Sequence, residues 1–238
     1  MKQTLTPEEI HELFGDGIVR HGPFCGLKYP ELTSIGSALY PKLLGSYESE
    51  LHPWIQGICD ADYSEIIDVG CAEGYYAVGL ALRIPQAMIY AYDIYEGAQQ
   101  LCANCAAANQ VANRLSVRAA FTADELLDIP IRHRGLIICD CEGAETQIFT
   151  EQSCHQFANW DLLIETHDFM DINISTRMTE LFQDTHDLRT LTSIDDIQKA
   201  KTYNYPELAT FDLATRRAIL AEWRPTIMEW MFLTSRSS

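Results

Sequence analysis

Short apolar segments separated by helix-like stretches run through the middle of the chain and predict an α/β fold. The apolar segments alternate little with polar residues, as expected for strands buried on both faces of a sheet. They span residues 65–70, 87–93, 115–120, 135–140 and 161–167. Helix-like stretches separate them at residues 74–83, 97–109 and 144–157. This spacing predicts a parallel sheet whose strands are joined by right-handed crossover helices.

The two ends of the chain follow different patterns. After the fifth strand we predict a helix, a strand, a helix and a final strand, at residues 174–184, 188–192, 208–223 and 227–233. At the other end, Thr6-Pro7-Glu8-Glu9 is a capping box with proline at the first helical position, followed by a stretch rich in glycine, proline and tyrosine. We therefore predict a helical cap at residues 1–60, an α/β domain at residues 61–238, and an insertion at residues 194–225 between the last two strands.

The composition narrows the classes of partner. The chain has 238 residues, of which 47% are hydrophobic and 21% charged, so it can bury a large core and is not a disordered chain. No segment approaches the roughly 18 consecutive apolar residues of a membrane span. The net charge of −17 repels nucleic acid and anionic lipid surfaces, so we expect neither as a partner. A homo-oligomer is compatible with the sequence.

The N-terminal residues and the cysteines indicate a cytoplasmic protein. Residues 1–9 hold a single base and two acids, and they lack the apolar region of a secretory signal. The eight cysteines lie mostly in apolar or helical patterns, which favours reduced thiols over a disulfide framework. Cys102 and Cys105 have the spacing of a metal or redox pair, but no second pair accompanies them. We interpret them as small, buried residues on one helix face.

A glycine-containing turn after the first predicted strand is the clearest ligand-binding signal. Residues 66–76 run from strand to turn to helix, which places a ligand at the carboxyl edge of the sheet. The spacing Gly70-x-x-x-Gly74 lacks the middle glycine of a dinucleotide-binding loop. Asp68 and Glu73 would repel a pyrophosphate but favour ammonium or sulfonium charge. S-adenosylmethionine carries both charges.

Asp93 ends the second predicted strand, 19 residues beyond Gly74. An acid about 20 residues past such a loop can accept hydrogen bonds from both ribose hydroxyls of a bound nucleoside. This position is common to nicotinamide and adenosylmethionine sites, so it does not distinguish them. The alternative is a solvated aspartate at a strand end. Of the nearby aromatic residues, Tyr92 or Tyr95 is expected to lie near the adenine.

Three stretches of the chain carry family motifs. They are Asp68-Val-Gly-Cys-Ala-Glu-Gly-Tyr-Tyr76, Cys139-Asp-Cys-Glu-Gly-Ala-Glu145 and Leu163-Ile-Glu-Thr-His167. Together they resemble class I S-adenosylmethionine-dependent methyltransferases, and the second and third resemble the FkbM-type family, with Cys141 where that family has valine. The motifs lie within residues 65–167, less than half of the chain.

The resemblance implies a Rossmann-like seven-stranded sheet, mostly parallel with a reversed last strand and helices on both faces. It also implies methyl transfer, usually to oxygen. We predict that the cofactor contacts residues of the motifs and of the neighbouring strand ends. The predicted cofactor-binding residues are Asp68, Gly70, Cys71, Glu73, Gly74, Tyr75, Asp93, Ile94 and Asp140.

Two pairs of polar residues follow the fourth and fifth strands and are candidates for the chemistry. Asp140 and Glu142 stand two apart, as do Glu165 and His167, so each pair can face one way. His167 could act as the general base, because its ordinary pKa is near neutrality. Asp140, Glu165 and His167 could instead hold magnesium or manganese. The structural alternative has the two acids capping the next helix and His167 as a satisfied strand-end residue.

These observations favour one function over two others. We predict an O-methyltransferase that uses S-adenosylmethionine and acts on a small metabolite or a glycosyl group, with the cap and the insertion forming the acceptor pocket. The first alternative is a nicotinamide-dependent oxidoreductase, which the missing glycine and the two loop acids disfavour. The second is a protein that binds adenosylmethionine without catalysis.

Overall fold

The computed structural model describes residues 6–237 of the chain, and seven strands within it form one sheet. They are β1 (Tyr63–Val69), β2 (Met88–Tyr92), β3 (Leu115–Arg118), β4 (Arg134–Cys139), β5 (Trp160–Thr166), β6 (His186–Thr192) and β7 (Glu229–Ser235). Their order across the sheet is β3-β2-β1-β4-β5-β7-β6. β1 to β5 pair in parallel, and β7 is antiparallel to both of its neighbours. The predicted seven-stranded, mostly parallel sheet with a reversed last strand is confirmed.

The α-helices connect these strands and cover the sheet. They are α1 (Pro7–Phe14), α2 (Leu39–Leu44), α3 (His52–Asp60), α4 (Tyr75–Arg83), α5 (Glu96–Ala108), α6 (Glu145–Ile148), α7 (Ile174–Phe182), α8 (Asp196–Thr202) and α9 (Leu213–Leu220). Within residues 6–237, none of them is long and apolar enough to cross a bilayer. Cys102 and Cys105 are buried on α5, as predicted.

Each face of the sheet has its own hydrophobic core, because successive strand residues point to opposite faces. Ile66 of β1 packs in the core that includes α4 and α5, whereas its neighbour Ile67 packs in the core that includes α7. Every residue of β1 and β5 is buried. The near-absence of alternation in the sequence therefore reflects burial on both faces, and the predicted helices on both faces are confirmed.

The two ends of the chain also pack against the sheet. Thr6 and Glu9 form the predicted capping box, with each side chain accepting the other residue's backbone N–H. Buried residues of the segment that contains α1, α2 and α3, such as Phe14 and Leu43, share a core with α4. Residues 194–225 lie between β6 and β7 and contain α8 and α9.

Two predicted helices are wrong in extent, and local hydrogen bonds explain both. The helix expected over residues 144–157 ends at Ile148, because Thr150 and Ser153 bond each other's backbone N–H groups and Ser153 donates to the Ile148 carbonyl. Such bonds compete with the helical pattern. The helix expected from residue 208 begins at Leu213 instead, where the Asp212 carboxylate caps it.

Candidate active site

A cavity of about 770 Å³ opens at the carboxyl ends of β1, β2 and β4. The strand order reverses direction between β1 and β4, and open α/β sheets bind ligands at such a point. Seven of the predicted cofactor residues line the cavity: Asp68, Gly70, Cys71, Tyr75, Asp93, Ile94 and Asp140. Glu73 and Gly74 are not among the described residues that line it.

The turn after β1 needs glycine at both ends. Gly70 has a φ of +87°, and a Cβ there would lie 1.8 Å from the Asp140 backbone oxygen. Gly74 has a φ of +97° and precedes the first residue of α4. The amides of Gly70 and Cys71 both donate to the Tyr92 carbonyl. The turn is therefore held close to the ends of β2 and β4, and no side chain at Gly70 would fit.

Glu73 has several partners within the protein. Its Oε1 accepts the Lys42 ammonium at 2.6 Å and the Ser34 hydroxyl at 3.0 Å, and its Oε2 accepts the Ile35 amide at 3.1 Å. Burial opposes ionisation of Glu73, but the charge and hydrogen bond of Lys42 together with backbone hydrogen bonds outweigh it and lower the pKa of this carboxyl. Glu73 therefore anchors the segment before α2 to the turn, and its predicted contact with the cofactor stays a prediction.

Asp93 lies at the predicted edge of the cavity and also organises the turn. Its Oδ2 accepts the Ala72 amide at 3.0 Å, and its Oδ1 accepts the Tyr95 amide at 2.9 Å. A carboxylate has about four lone-pair positions, so both oxygens retain capacity for further donors. Tyr92 lines the cavity near Asp93, whereas Tyr95 is 59% exposed.

Asp68 is buried at the inner wall of the cavity. Only 2% of its surface is exposed, and Oδ2 has no hydrogen-bond partner within residues 6–237. Burial, with a smaller contribution from the charges of Asp140 and Asp93, raises the pKa of Asp68 to about 7. An unpartnered buried carboxylate oxygen is unusual and indicates a position where a ligand donor can bind.

A smaller cavity of about 100 Å³ adjoins the large one. The two cavities share five lining residues: Gly36, Ser37, Tyr47, Asp140 and Glu142. The remaining lining residues of the small cavity come from the end of β5, the loop after β5, and the segment that precedes β7. They are Glu165, His167, Phe169, Glu222, Trp223, Arg224, Pro225 and Met228.

The structure brings all four candidate catalytic residues together at this second cavity. His167 donates from Nδ1 to Oε1 of Glu145 at 2.7 Å. Its Nε2 faces three carboxylates, with Asp140 Oδ1 at 3.5 Å and an oxygen of Glu142 and of Glu165 each at 3.7 Å. One ligand atom each of Asp140, Glu165 and His167 lies within 4.8 Å of the others. This donor set suits either a base or a divalent cation.

The electrostatics of this cluster favour positive charge. Burial disfavours the imidazolium of His167, but the hydrogen bond to Glu145 and the charges of Asp140 and Glu142 outweigh it and raise the His167 pKa. Burial and the neighbouring Asp140 charge raise the Glu165 pKa well above its usual range. Asp140, Glu142 and Glu165 repel one another when they are ionised. A proton or a divalent cation bound at Nε2 would reduce this repulsion.

One part of the structural alternative, the capping of the next helix, is wrong, whereas the bond between His167 and Glu145 fits its satisfied strand-end histidine. Within residues 6–237, α6 begins after Ala144 without a side-chain cap, so neither Asp140 nor Glu142 caps it. Glu142 has a φ of +54°, a conformation that non-glycine residues rarely adopt. Backbone strain of this kind concentrates at functional sites, and Glu142 lies at the boundary of the two cavities.

The sequence predictions give no role to three charged residues that shape the site: Lys42 and Arg224, which line the cavities, and Glu145, which bonds His167. Glu145 lies inside a motif, three residues after Glu142, and that spacing was a usable signal. Lys42 and Arg224 lie in segments without a motif. The Arg224 guanidinium donates to carboxylates of Glu48, Glu165 and Glu222, so it connects the two ends of the chain with β5.

Comparison with known proteins identifies the fold. No protein-family model matches the chain, and no curated protein matches its sequence. The structure is similar to that of precorrin 8W decarboxylase from Methanobacterium thermoautotrophicum, with a TM-score of 0.53 and 12% identity over 77% of this chain and 89% of that one. It is also similar to the O-methyltransferase TomG from Streptomyces achromogenes in complex with S-adenosylmethionine, with a TM-score of 0.51 and 10% identity over 87% of this chain and 83% of that one. The chain therefore has a Rossmann-like fold of the methyltransferase type.

Proposed function

We propose that this protein is an S-adenosylmethionine-dependent methyltransferase that methylates a hydroxyl oxygen of a small molecule. The observation that supports the proposal most is that two cavities share polar lining residues, among them Asp140 and Glu142. The large cavity lies where the fold binds nucleosides, and the small cavity adjoins it at Asp140 and Glu142. His167 and Glu165 line the small cavity.

The residues of the large cavity fit S-adenosylmethionine. Its volume of about 770 Å³ is that of a small-molecule site. Asp93 is available to a ribose, and the unpartnered oxygen of Asp68 is available to an ammonium group. TomG, which has the same fold, was crystallised with this compound. The narrower assignment to the FkbM-type family rests on the motifs that contain Asp140 and His167.

Bound S-adenosylmethionine would supply an activated methyl group on a sulfonium, which is an excellent leaving group. The protein must therefore align the acceptor oxygen and accept its proton. His167 is suited to the second task because Glu145 fixes the ring and directs Nε2 towards the small cavity. Glu145 acts as a positioning residue in this arrangement.

A divalent cation is the alternative means of activating the hydroxyl. Asp140, Glu165 and His167 would hold it, and it would lower the pKa of the acceptor hydroxyl. His167 could not then serve as a free base, because Nε2 would be a ligand. The two forms of the proposal thus make opposite predictions about chelation.

The acceptor pocket supports a neutral or cationic acceptor. Asp140, Glu142 and Glu165 surround the small cavity, and its one guanidinium among residues 6–237, Arg224, is already paired with three carboxylates. Tyr47 comes from the segment before β1 and Trp223 from the segment before β7. We therefore propose that residues 1–60 and 194–225 select the acceptor, which could be a hydroxylated metabolite or a glycosyl group.

The test combines binding and turnover measurements on the purified protein. Calorimetry with adenosylhomocysteine and with NAD identifies the cofactor, and formation of adenosylhomocysteine in a screen of hydroxylated acceptors identifies turnover. If His167 is a free base, His167→Ala should lower turnover about 10²- to 10⁴-fold, and EDTA should have no effect. If a metal is used, EDTA should abolish turnover, and magnesium or manganese should restore it. His155→Ala, at an exposed histidine, is the matched control.

Three results would contradict the proposal. Binding of NAD in place of adenosylhomocysteine would indicate an oxidoreductase. Binding of adenosylhomocysteine without turnover of any acceptor would indicate a non-catalytic binding protein. Full activity of His167→Ala in a chelator-insensitive enzyme would exclude both the base and the metal.

A further inference from the structure

Lys42 is a buried cation at the large cavity. It belongs to α2, and 3% of its surface is exposed. Among the residues between 6 and 237 that line this cavity, it is the one with a positive charge. The acidic residues of the same lining are Asp68, Asp93, Asp124, Asp140 and Glu142. Any anionic part of a ligand in the cavity therefore has a single side-chain cation available to it.

The surroundings of Lys42 hold its ammonium in place. Nζ donates to Glu73 at 2.6 Å, to the Ser37 hydroxyl at 2.7 Å and to the Ser34 hydroxyl at 3.3 Å, so each of its three N–H groups has an acceptor. The ring centroids of Tyr47 and Tyr75 lie 4.8 and 5.4 Å from Nζ. Ser37, Tyr47 and Tyr75 also line the cavity. Lys42 is thus fixed at the cavity wall by contacts that leave few conformations open to it.

Asp68 places the opposite charge near Lys42. Its unpartnered oxygen is buried at the same cavity, and Lys42 is close enough to lower the Asp68 pKa against the larger effect of burial. A buried carboxylate and a buried ammonium that line one cavity match the ammonium and carboxylate of an α-amino acid. The methionine part of S-adenosylmethionine carries this pair of charges, whereas its adenosine part carries neither.

We propose that Lys42 binds the α-carboxylate of the methionine part of S-adenosylmethionine and that Glu73 positions Lys42 for this contact. The inference rests on the proposed function, since it names a contact within the cofactor site. The carboxylate would replace one serine hydroxyl, of Ser34 or of Ser37, as the acceptor of a Lys42 N–H group, while Glu73 keeps its own bond to the ammonium. Arg224 is not an alternative, because it lines the small cavity, whereas Lys42 lines the large one.

The experiment compares two ligands that differ only in the carboxylate. Calorimetry measures the affinity of each variant for adenosylhomocysteine and for its decarboxylated analogue, which keeps the adenosine, the thioether and the amine. Wild type should prefer adenosylhomocysteine by about 10- to 100-fold, as expected for a charge-assisted contact. Lys42→Met should lose most of this preference while its affinity for the analogue changes less than about threefold.

Two further variants keep the test independent of folding. Lys42→Met/Glu73→Gln avoids a buried unpaired carboxylate and should lose the preference in the same way. Lys28→Met, at an exposed lysine of the same segment, should retain it. A Lys42 variant that keeps the wild-type preference, or that weakens both ligands equally, overturns the inference and leaves the proposed function intact. A wild-type protein that binds neither ligand overturns the proposed function, and the inference with it.

Discussion

Asp68 gives a quantitative test of the cavity electrostatics. Burial is the main cause that raises its pKa from 3.8 to about 7, and the Asp140 and Asp93 charges add to it. The Ala77 amide and Lys42 act in the opposite direction. At pH 8, a shift of this size corresponds to about 4 kcal/mol of lost folding free energy. We predict that the neutral variant Asp68→Asn recovers this free energy in a pH-dependent way.

The direction in which stability changes with pH follows from the number of protons that the folded and unfolded states bind. The unfolded chain releases the Asp68 proton near pH 3.8, whereas the folded protein retains it to about pH 7. Folding at intermediate pH therefore requires a bound proton, and the stability of wild type falls as the pH rises through this window. Asp68→Asn lacks this titration. The free energy of unfolding of Asp68→Asn minus that of wild type should therefore rise by about 3 kcal/mol between pH 5 and pH 8.

The assay is urea denaturation of both proteins at pH 5, 6, 7 and 8 without ligand. Any constant cost of the amide cancels, because the readout is the change of the difference with pH. Asp62→Asn, at an exposed residue just before β1, is the control and should differ from wild type by a constant amount. A difference between Asp68→Asn and wild type that is the same at pH 5 and pH 8 would refute the reasoning.

Two further predictions concern the turn after β1. Asp93→Ala should weaken adenosylhomocysteine binding about 10- to 100-fold in calorimetry, because it removes charge-assisted hydrogen bonds, and circular dichroism should show an intact fold. Gly70→Ala should lower the melting temperature strongly, since its Cβ would lie 1.8 Å from the Asp140 backbone oxygen. Gly26→Ala, also at positive φ but with no atom within 4 Å of the added Cβ, should cost only about 1–2 kcal/mol. Equal effects of the two glycine substitutions would contradict this explanation.

The sheet could be predicted from the sequence because burial on both faces leaves continuous apolar segments. All seven strands lie within three residues of the predicted ends. The helices were less predictable where side chains bond the local backbone. Ser153 ends the predicted helix early, and Asp212 sets the start of α9, since each offers the backbone a bond that hydrophobic periodicity does not register.

In the candidate site too, the sequence predicts some contacts and not others. The convergence of Asp140 with His167 followed from the sequence, because the carboxyl ends of neighbouring parallel strands meet at one edge. The partner of Glu73 did not, since Lys42 precedes it by 31 residues in a segment without periodicity. Arg224 reaches Glu165 only because β7 inserts beside β5. These contacts depend on how the ends of the chain pack, which no local pattern encodes.

Two buried ion pairs attach these end segments to the ligand-binding edge of the sheet. Lys42 and Glu73 join α2 to the turn after β1, and Arg224 joins the segment before β7 to Glu165. Burying charges costs hydration free energy, and apolar replacements of such pairs are often neutral or stabilising. Stability alone therefore does not explain these residues, and we infer that the pairs fix the end segments over the cavities. Lys42→Met/Glu73→Gln should then stay within about 2 kcal/mol of wild type in urea denaturation, and a variant that fails to fold would contradict the inference.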